Sequence, residues 1–254
     1  MTDAVAEILA ARRDHRNLDL AMADRPADLE AAYALQRRLA REMGEDPPAG
    51  WKIGATTTSM QAYLGLTHPC AGFTPRTGLR DDHGEFRFAD YVKPGVECEI
   101  GLRLRHGIAP GRHGRDALAD AVEHVFAAIE VVDQRYGDFA SLGAPTLIAD
   151  QVFHAGGVMG HPASGWPGID LAAARGFVSV DGAVRAEGVG ADLLGHPLDA
   201  LGWLADSGAA HAFGGLRAGQ VVFLGSVTPP IWLDGPCRVS VSFEPLGEVT
   251  ASFA

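Results

Sequence analysis

Two glutamates separated by one residue are the first feature of the sequence that could bind a ligand. They lie in the stretch 96–104, where apolar residues recur at every second position, and this alternation predicts a β-strand. Side chains two positions apart on a strand point to the same face, so Glu97 and Glu99 would lie side by side. At roughly 6 Å and an effective dielectric near 20, their repulsion would cost on the order of 3 kcal/mol. Solvation of that face, protonation of one acid or a bound cation would lower this cost.

Glu130 is the third acid of interest, because its neighbours Ala128–Val132 are apolar and predict a buried strand. An ionised carboxylate in that setting needs either an arginine partner or a bound cation. If Glu130 meets Glu97 and Glu99, the ligand set is all oxygen, which selects hard cations such as Mg²⁺, Mn²⁺ or Ca²⁺. The local sequence leaves both the arginine pair and the cation open.

Lys52 lies between apolar neighbours in Gly50–Gly54, with a glycine at each end of the segment. A solvent-exposed lysine is one interpretation of this pattern. The other is a lysine turned into a pocket beside the carboxylates, where it would hold an anionic oxygen or move a proton.

The ten histidines contain no metal-binding motif such as H-E-x-x-H, and no phosphate-binding glycine loop or nucleophile elbow is present. His154 is the histidine of most interest, because it follows Asp150 and Gln151 in a glycine-rich segment. Ser226 and Thr228 follow a predicted buried strand, where the chain breaks into Pro229-Pro230. Their hydroxyls would face a ligand or simply form a turn, and the sequence does not separate the two.

Composition limits the possible partners. The 254 residues carry a net charge of −11, which argues against nucleic acid or an anionic membrane as the main partner. The three cysteines are far apart and form no C-x-x-C, so we expect reduced thiols and a cytoplasmic protein. We also expect no secretory signal and no membrane span, because no long apolar run occurs.

Helices are predicted mainly in the first part of the chain and strands mainly in the rest. The segment 45–50 is rich in proline and separates a helical N-terminal section (1–49) from a β-rich body (50–254), which would be the metal-binding catalytic part if the candidate acids bind a cation. Together they predict an α+β fold that forms one structural domain overall. Helices are predicted at 3–13, from Pro26 to Gly44, at 60–64, along an apolar stripe from Leu118 to Ile129, and from Pro197 to Gly214. Strands are predicted at 51–54, 85–88, 96–104, 128–132, 152–159, 176–180, 183–188, 221–224 and 238–243, with a hairpin turn at Asp181-Gly182.

Several short motifs occur together in the sequence, in an order and at a spacing that are typical of one protein family. The motifs are Gly50–Gly54, Glu97-x-Glu99, Ile129–Asp133, Ala149-Asp150, Leu216-x-Ala218-Gly219 and Gly225–Pro230. This set resembles the 2-keto-4-pentenoate hydratase and 4-oxalocrotonate decarboxylase family, within the fumarylacetoacetate hydrolase superfamily. The resemblance runs from about residue 26 to the end of the chain.

The resemblance implies a site, a fold and an assembly. By position, Glu97, Glu99 and Glu130 would bind a divalent cation, usually Mg²⁺ or Mn²⁺, and Lys52 would be a catalytic residue in the same pocket. The implied fold is a mixed β-roll core of the fumarylacetoacetate hydrolase C-terminal type with a helical N-terminal section. The implied partners are a small 2-keto acid substrate and further copies of the chain in a homo-oligomer.

The sequence also departs from the family pattern around the expected pocket. Where similar hydratases usually carry an aspartate, this chain has Cys70, and the family's Asp-Asn pair is Asp150-Gln151 here. The small serines that often follow are replaced by Phe153–Ala155. We expect a reshaped pocket in which the substrate is contacted by a set of five side chains: Cys70, Gln151, His154, Ser226 and Thr228.

The expected function is a metal-dependent hydratase that adds water to a 2-hydroxy-2,4-dienoate, or its 2-keto-4-enoate tautomer, in the catabolism of aromatic-type compounds. The missing aspartate favours an alternative, a decarboxylase of a 2-keto-3-enedioate. A hydrolase of a diketo acid ranks lower, because no convincing His–Glu pair is found. A binder of keto acids without catalytic activity is the remaining alternative.

Overall fold

A computed structural model describes residues 3–137 and 139–254, so residues 1 and 2 of the predicted helical section lie outside the described residues. Within the described residues the chain forms thirteen strands in two sheets and eight α-helices. The predicted α+β class is confirmed. The division of the chain at residues 49 and 50 stays a prediction.

The helices are α1 (Ala4–Arg13), α2 (Leu29–Glu42), α3 (Thr58–Leu64), α4 (Arg115–Ala121), α5 (Phe139–Leu142), α6 (Ala144–Ala149), α7 (Pro197–Asp206) and α8 (Gly208–Phe213). The strands are β1 (Gly50–Gly54), β2 (Cys70–Thr74), β3 (Leu79–Asp81), β4 (His83–Phe86), β5 (Pro94–Leu104), β6 (Val122–Asp133), β7 (His154–Met159), β8 (Arg175–Val180), β9 (Ala183–Val189), β10 (Val221–Ser226), β11 (Ile231–Trp232), β12 (Cys237–Glu244) and β13 (Gly247–Phe253).

The larger sheet has the strand order β2-β1-β10-β5-β6-β7-β3, with β11 paired to β5. Its central strands β5 and β6 are also the longest, with 11 and 12 residues, and they pair antiparallel along almost their whole length. This pairing places Glu97 directly opposite Glu130. Because side chains alternate between faces along a strand, Glu99 projects to the same face as Glu97. The middle of this sheet therefore brings the three acids together.

The smaller sheet has the order β4-β13-β12-β8-β9, and its strands β12 and β13 lie against β6. Val239, Val241 and Phe243 on β12 are buried in turn, as the alternating sequence predicts. The predicted turn at Asp181-Gly182 joins β8 to β9, and both of its residues have positive φ, as a two-residue hairpin turn requires. This sheet covers the back of the sheet that carries the acids.

Helix α2 packs against α6 and α8 with its predicted apolar face buried. Its buried Gln36 donates hydrogen bonds to the carbonyls of Ala71 and Ile148, which ties the helix to β2 and α6. The helix begins at Leu29 rather than at Pro26, because the Asp28 carboxylate accepts a hydrogen bond from a backbone N–H in the first turn.

Other element boundaries also differ from the sequence prediction. The apolar stripe from Leu118 predicted a helix that runs into the strand 128–132, with no boundary marked between them. The helix ends at Ala121 and the rest forms β6, because pairing with β5 outweighs local helical spacing. The predicted helix from Pro197 breaks at Ser207, which ends α7 and caps α8. The predicted strand 152–159 begins at His154, so residues 152 and 153 precede β7 rather than belonging to it. No helix among the described residues is long and apolar enough to cross a membrane.

Candidate metal and substrate site

The carboxylates of Glu97, Glu99 and Glu130 converge on one point between β5 and β6. Each offers an oxygen, and these three oxygens all lie within 4.8 Å of one another. Glu99 and Glu130 are fully buried, whereas Glu97 is partly exposed and lines a cavity. The strand register explains the cluster, because Glu97 pairs with Glu130 across the two strands and Glu99 follows one pleat further along.

The cluster fits a hard divalent cation. One oxygen of Glu99 (Oε1) and one of Glu130 (Oε2) are buried without a hydrogen-bond partner among the described residues. Unsatisfied buried carboxylate oxygens are costly, and a cation would satisfy both. An all-oxygen set of this kind suits Mg²⁺, Mn²⁺ or Ca²⁺.

A glycine orients one member of the cluster. The other oxygen of Glu99 (Oε2) accepts a hydrogen bond of 2.8 Å from the N–H of Gly225, where the pairing of β10 with β5 is irregular. Gly225 has a φ of +112°, and a Cβ at this position would lie 2.5 Å from Cγ2 of Thr56. Only glycine fits this turn without displacing its neighbour, so it allows the backbone to approach the glutamate.

The three acids have divergent pKa values, and without a cation they do not all ionise together. Burial and the neighbouring charge of Glu130 raise the pKa of Glu97 to about 8 and the pKa of Glu99 well above its ordinary value. Burial would also raise the pKa of Glu130, but Lys52 and His154 outweigh it and lower this pKa to about 2. A bound dication would reverse the effect on Glu97 and Glu99 and favour their ionised forms.

Lys52 is buried beside this cluster. Its strand β1 lies between β2 and β10, and the side chain crosses toward Glu130, where Nζ is 3.4 Å from Oε1. Nζ also donates a hydrogen bond of 2.6 Å to the carbonyl of Val152. Burial alone would lower the pKa of Lys52, but the charges of Glu130 and Glu97 raise it. Lys52 is therefore a fixed, positively charged group at neutral pH.

A cavity of about 350 Å³ opens beside Lys52 and Glu97. Most of its wall is apolar and comes from α3, from the ends of β6 and β11, from the segment before β7 and from the Pro-Pro turn. The residues are Met60, Leu64, Val132, Phe153, Pro229, Pro230 and Trp232. Lys93 and Gln134 add polar groups. The ammonium of Lys93 lies 5.5 Å from the centre of the Trp232 ring and has no carboxylate partner among the described residues. The cavity thus has a charged end and an apolar wall, as a small-acid site requires.

His154 forms a His–Glu pair that sequence reasoning missed. Its Nδ1 lies 2.8 Å from Oε1 of Glu130, and burial lowers the pKa of His154 although Glu130 opposes the shift. His154 and Gln151 line a second cavity, of about 310 Å³, together with Arg12 and Arg135. The pair arises because β7 runs beside β6, a contact between residues 24 positions apart that no sequence motif signals.

The lining of the first cavity does not include the other predicted substrate contacts. The Ser226 hydroxyl accepts a hydrogen bond from the N–H of Cys98, and the Thr228 hydroxyl lies 3.5 Å from it. Cys70 is fully buried on β2, and burial raises the pKa of its thiol to about 11. The amide of Gln151 donates to the carbonyl of Phe73. Substrate contact by these residues stays a prediction.

The chain is similar in sequence to known enzymes. A scan against protein-family models finds no match. The chain is 33% identical over 228 residues to a 2-keto-4-pentenoate hydratase from Burkholderia vietnamiensis, covering 89% of this chain and 86% of that protein.

Solved structures give the same fold. The 4-oxalocrotonate decarboxylase from Pseudomonas putida G7, complexed with magnesium and adipate, matches with a TM-score of 0.89 and 25% identity over 99% of this chain and 96% of that one. A fumarylpyruvate hydrolase from Pseudomonas aeruginosa, in complex with Mn²⁺ and pyruvate, matches with a TM-score of 0.62 and 17% identity over 80% of this chain and 88% of that one. The second likeness is one of fold alone. Together they confirm the predicted type of β-rich core.

Proposed function

Since this chain belongs to the family of 2-keto-4-pentenoate hydratases and 4-oxalocrotonate decarboxylases, within the fumarylacetoacetate hydrolase superfamily, we propose that this metal-dependent lyase hydrates a 2-hydroxy-2,4-dienoate or its 2-keto-4-enoate tautomer. The reaction would serve the catabolism of aromatic-type compounds. The single observation that carries the proposal is the convergence of three buried or half-buried glutamates beside a buried lysine and an apolar cavity.

Glu97, Glu99 and Glu130 would hold the cation, Mg²⁺ or Mn²⁺. When bound, it supplies a concentrated positive charge for the carboxylate and 2-oxygen of a 2-keto acid. The protein's part is to keep the acids ionised and oriented, through Lys52 for Glu130 and through the N–H of Gly225 for Glu99.

Lys52 would move a proton during tautomerisation of the substrate. Its ammonium lies beside the partly exposed Glu97 at the charged end of the cavity, where a 2-hydroxy or 2-keto oxygen would also lie. Donating a proton from Nζ to the carbon chain converts the dienol to the ketone, and the proton lost from the 2-hydroxyl restores the balance. Water then adds across the remaining double bond, its oxygen to one carbon and its hydrogen to the other.

The apolar wall would position the rest of the substrate. Met60, Leu64, Val132 and Trp232 can contact a hydrocarbon chain without offering it hydrogen bonds. Such a wall would align the double bond and limit the entry of water other than the reacting molecule.

Decarboxylation of a 2-keto-3-enedioate is the second candidate, and two observations favour it. Cys70 offers a neutral thiol where similar hydratases usually carry an aspartate. In addition, the ammonium of Lys93 lines the cavity and has no carboxylate partner among the described residues, so it would suit a second carboxylate. In this reaction the carbon–carbon bond to the departing CO₂ breaks, its electron pair enters the conjugated system, and a proton is then added to carbon.

The assay that separates these reactions uses the purified chain with Mg²⁺ on a monocarboxylic dienoate and on an enedioate, with water addition and CO₂ release both measured. Water addition to the dienoate without CO₂ release supports the hydratase. CO₂ release from the enedioate, without water addition to the dienoate, would contradict the hydratase proposal and support the decarboxylase. Glu99→Gln should abolish either activity, and full activity of this variant would contradict both proposals.

Assembly and location complete the proposal. We expect a homo-oligomer acting in the cytoplasm on a small 2-keto acid, on the strength of the family resemblance and the reduced cysteines, all three of which are free in the structure. Sedimentation of the purified protein measures the oligomeric state, and a single-chain mass would contradict this expectation.

A further inference from the structure

The backbone that holds Lys52 has an unusual conformation. Three consecutive residues, Gln151, Val152 and Phe153, have φ values of 64°, 49° and 66°. None is glycine, and for the β-branched Val152 a positive φ is a genuine outlier. Such a run persists only where the surrounding structure imposes it, and it often occurs beside a functional site.

Asp150, directly before this loop, is fixed by ionic hydrogen bonds on both carboxylate oxygens. Oδ1 accepts from Nε and Nη2 of Arg12, at 2.9 and 2.7 Å. Oδ2 accepts from Nη2 of Arg135 at 2.6 Å and from the hydroxyl of Tyr136 at 2.8 Å. Nη2 of Arg12 also donates to the Asp150 carbonyl at 3.1 Å, so the guanidinium holds backbone as well as side chain. The start of the loop is therefore clamped by four hydrogen bonds to its carboxylate and one to its carbonyl.

The other side of the loop faces the proposed site. The carbonyl of Val152 accepts the 2.6 Å hydrogen bond from Nζ of Lys52, and Phe153 lines the cavity. Arg12 comes from α1, 138 residues before Asp150 and outside both sheets. The strained backbone thus connects Asp150, with its two arginine partners, to the carbonyl that binds the Lys52 ammonium.

From this geometry we propose that Arg12 and Asp150 are positioning residues, which hold the Gln151–Phe153 loop so that the Val152 carbonyl fixes Lys52 beside Glu130. The inference rests on the proposed role of Lys52 in proton transfer. It gives the N-terminal helix α1 a function in the reaction that its distance along the chain does not suggest. The three glutamates lie on β5 and β6 rather than on this loop, so a count of metal sites separates a loss of cation binding from a slower chemical step.

The test compares Arg12→Met and Arg12→Lys with the matched control Arg13→Met. Arg13 is exposed, and among the described residues its ion-pair partner is the exposed Asp14. Activity is measured on the Mg²⁺-loaded full chain and expressed per site, with sites counted by Mn²⁺ titration. Arg12→Met should lower kcat on the order of 10- to 100-fold, with KM changed by less than about threefold, because a misplaced group slows the chemical step. Arg12→Lys should recover part of kcat, and Arg13→Met should match the parent.

A crystal structure of Arg12→Met gives a second readout that does not depend on activity. We expect a displaced Val152 carbonyl and a longer Nζ–O distance to Lys52. An unchanged loop and Lys52, or an unchanged kcat per metal-binding site, would overturn the inference. If Arg12→Met does not fold, Arg12→Lys decides by the same kcat, KM and crystallographic criteria. If the parent protein turns over neither substrate class, the proposed function fails, while the crystal structures still decide the positioning role.

Discussion

Nζ of Lys52 lies 3.4 Å from Oε1 of Glu130, and both side chains are buried. Burial alone would raise the pKa of Glu130, but this ion pair and the contact with His154 together lower it to about 2. It also keeps Lys52 charged in a position where burial alone would favour the neutral amine. One acid of the cluster is therefore ionised before any cation binds, and one cation of the protein stays beside the place where the substrate's oxygens would lie.

Lys52→Met should remove the proposed proton carrier. We expect kcat to fall on the order of 10²- to 10⁴-fold, the range usual for loss of a general acid or base. Lys93→Met is the matched control on a monocarboxylic substrate, since Lys93 lines the same cavity but its ammonium lies over the Trp232 ring and forms no ion pair with the three acids. Steady-state kinetics with saturating Mg²⁺ measures both, and a Lys52→Met variant within about threefold of the parent would refute the assignment.

Lys93→Met should also show whether Lys93 binds a second carboxylate at the far end of the substrate. If the ammonium binds a second carboxylate, KM for an enedioate should rise about fivefold, on the order of 1 kcal/mol for an exposed ionic contact. KM for a monocarboxylic dienoate should not change. Equal effects on both substrates would show that Lys93 does not recognise the tail.

The stability of the protein in acid should depend on the ion pairs of Asp150 with Arg12 and Arg135. Burial opposes ionisation, but Arg135 and Arg12 outweigh it and hold the pKa of Asp150 below its ordinary value of 3.8. The unfolded chain therefore takes up this proton more readily than the folded one. The stabilisation is fully present above the ordinary value and is lost as the pH falls through the lower pKa of the folded protein.

Urea unfolding between neutral and acidic pH measures this contribution. Asp150→Asn should lower the free energy of unfolding at neutral pH and should show a shallower fall with acid than the parent. Asp14→Asn is the control, because Asp14 forms an exposed ion pair that salt screens. Parallel acid profiles for Asp150→Asn and the parent, in high salt, would contradict the prediction.

Gly225→Ala should lower both the stability of the protein and its affinity for Mg²⁺. At a φ of +112°, with Thr56 only 2.5 Å from the new Cβ, alanine should destabilise the protein on the order of 1–3 kcal/mol. Moving this N–H away from Glu99 should also weaken Mg²⁺ binding, which isothermal titration would measure. Gly235→Ala is the control, because a Cβ there meets no atom within 4 Å. Equal stability and metal affinity for the two variants would show that the turn does not orient the glutamate.

The sequence was informative wherever the signal was local or followed a family spacing. Strand alternation placed Glu97 and Glu99 on one face, and the apolar neighbours of Glu130 marked it as a third acid. The resemblance joined the three in one metal site, and the β5–β6 register brings Glu130 opposite Glu97. The change from helix to strand after Ala121 was not predictable, because the apolar residues on both sides suit either element and pairing with β5 decides.

Contacts between residues far apart in the sequence could not be predicted, for a different reason. Arg12 and Asp150 are 138 residues apart, and neither has a neighbouring motif that signals the other. The His154–Glu130 pair likewise depends on β7 lying beside β6. Such contacts follow from topology, which a single sequence does not specify residue by residue.

A crystal structure grown with Mn²⁺ and oxalate, with anomalous data at the manganese edge, tests the central claim most directly. The account predicts one strong anomalous peak bound by carboxylate oxygens of Glu97, Glu99 and Glu130, with oxalate completing the coordination beside Lys52. A map with no peak among these carboxylates, or with Glu130 turned away from the metal, would contradict it.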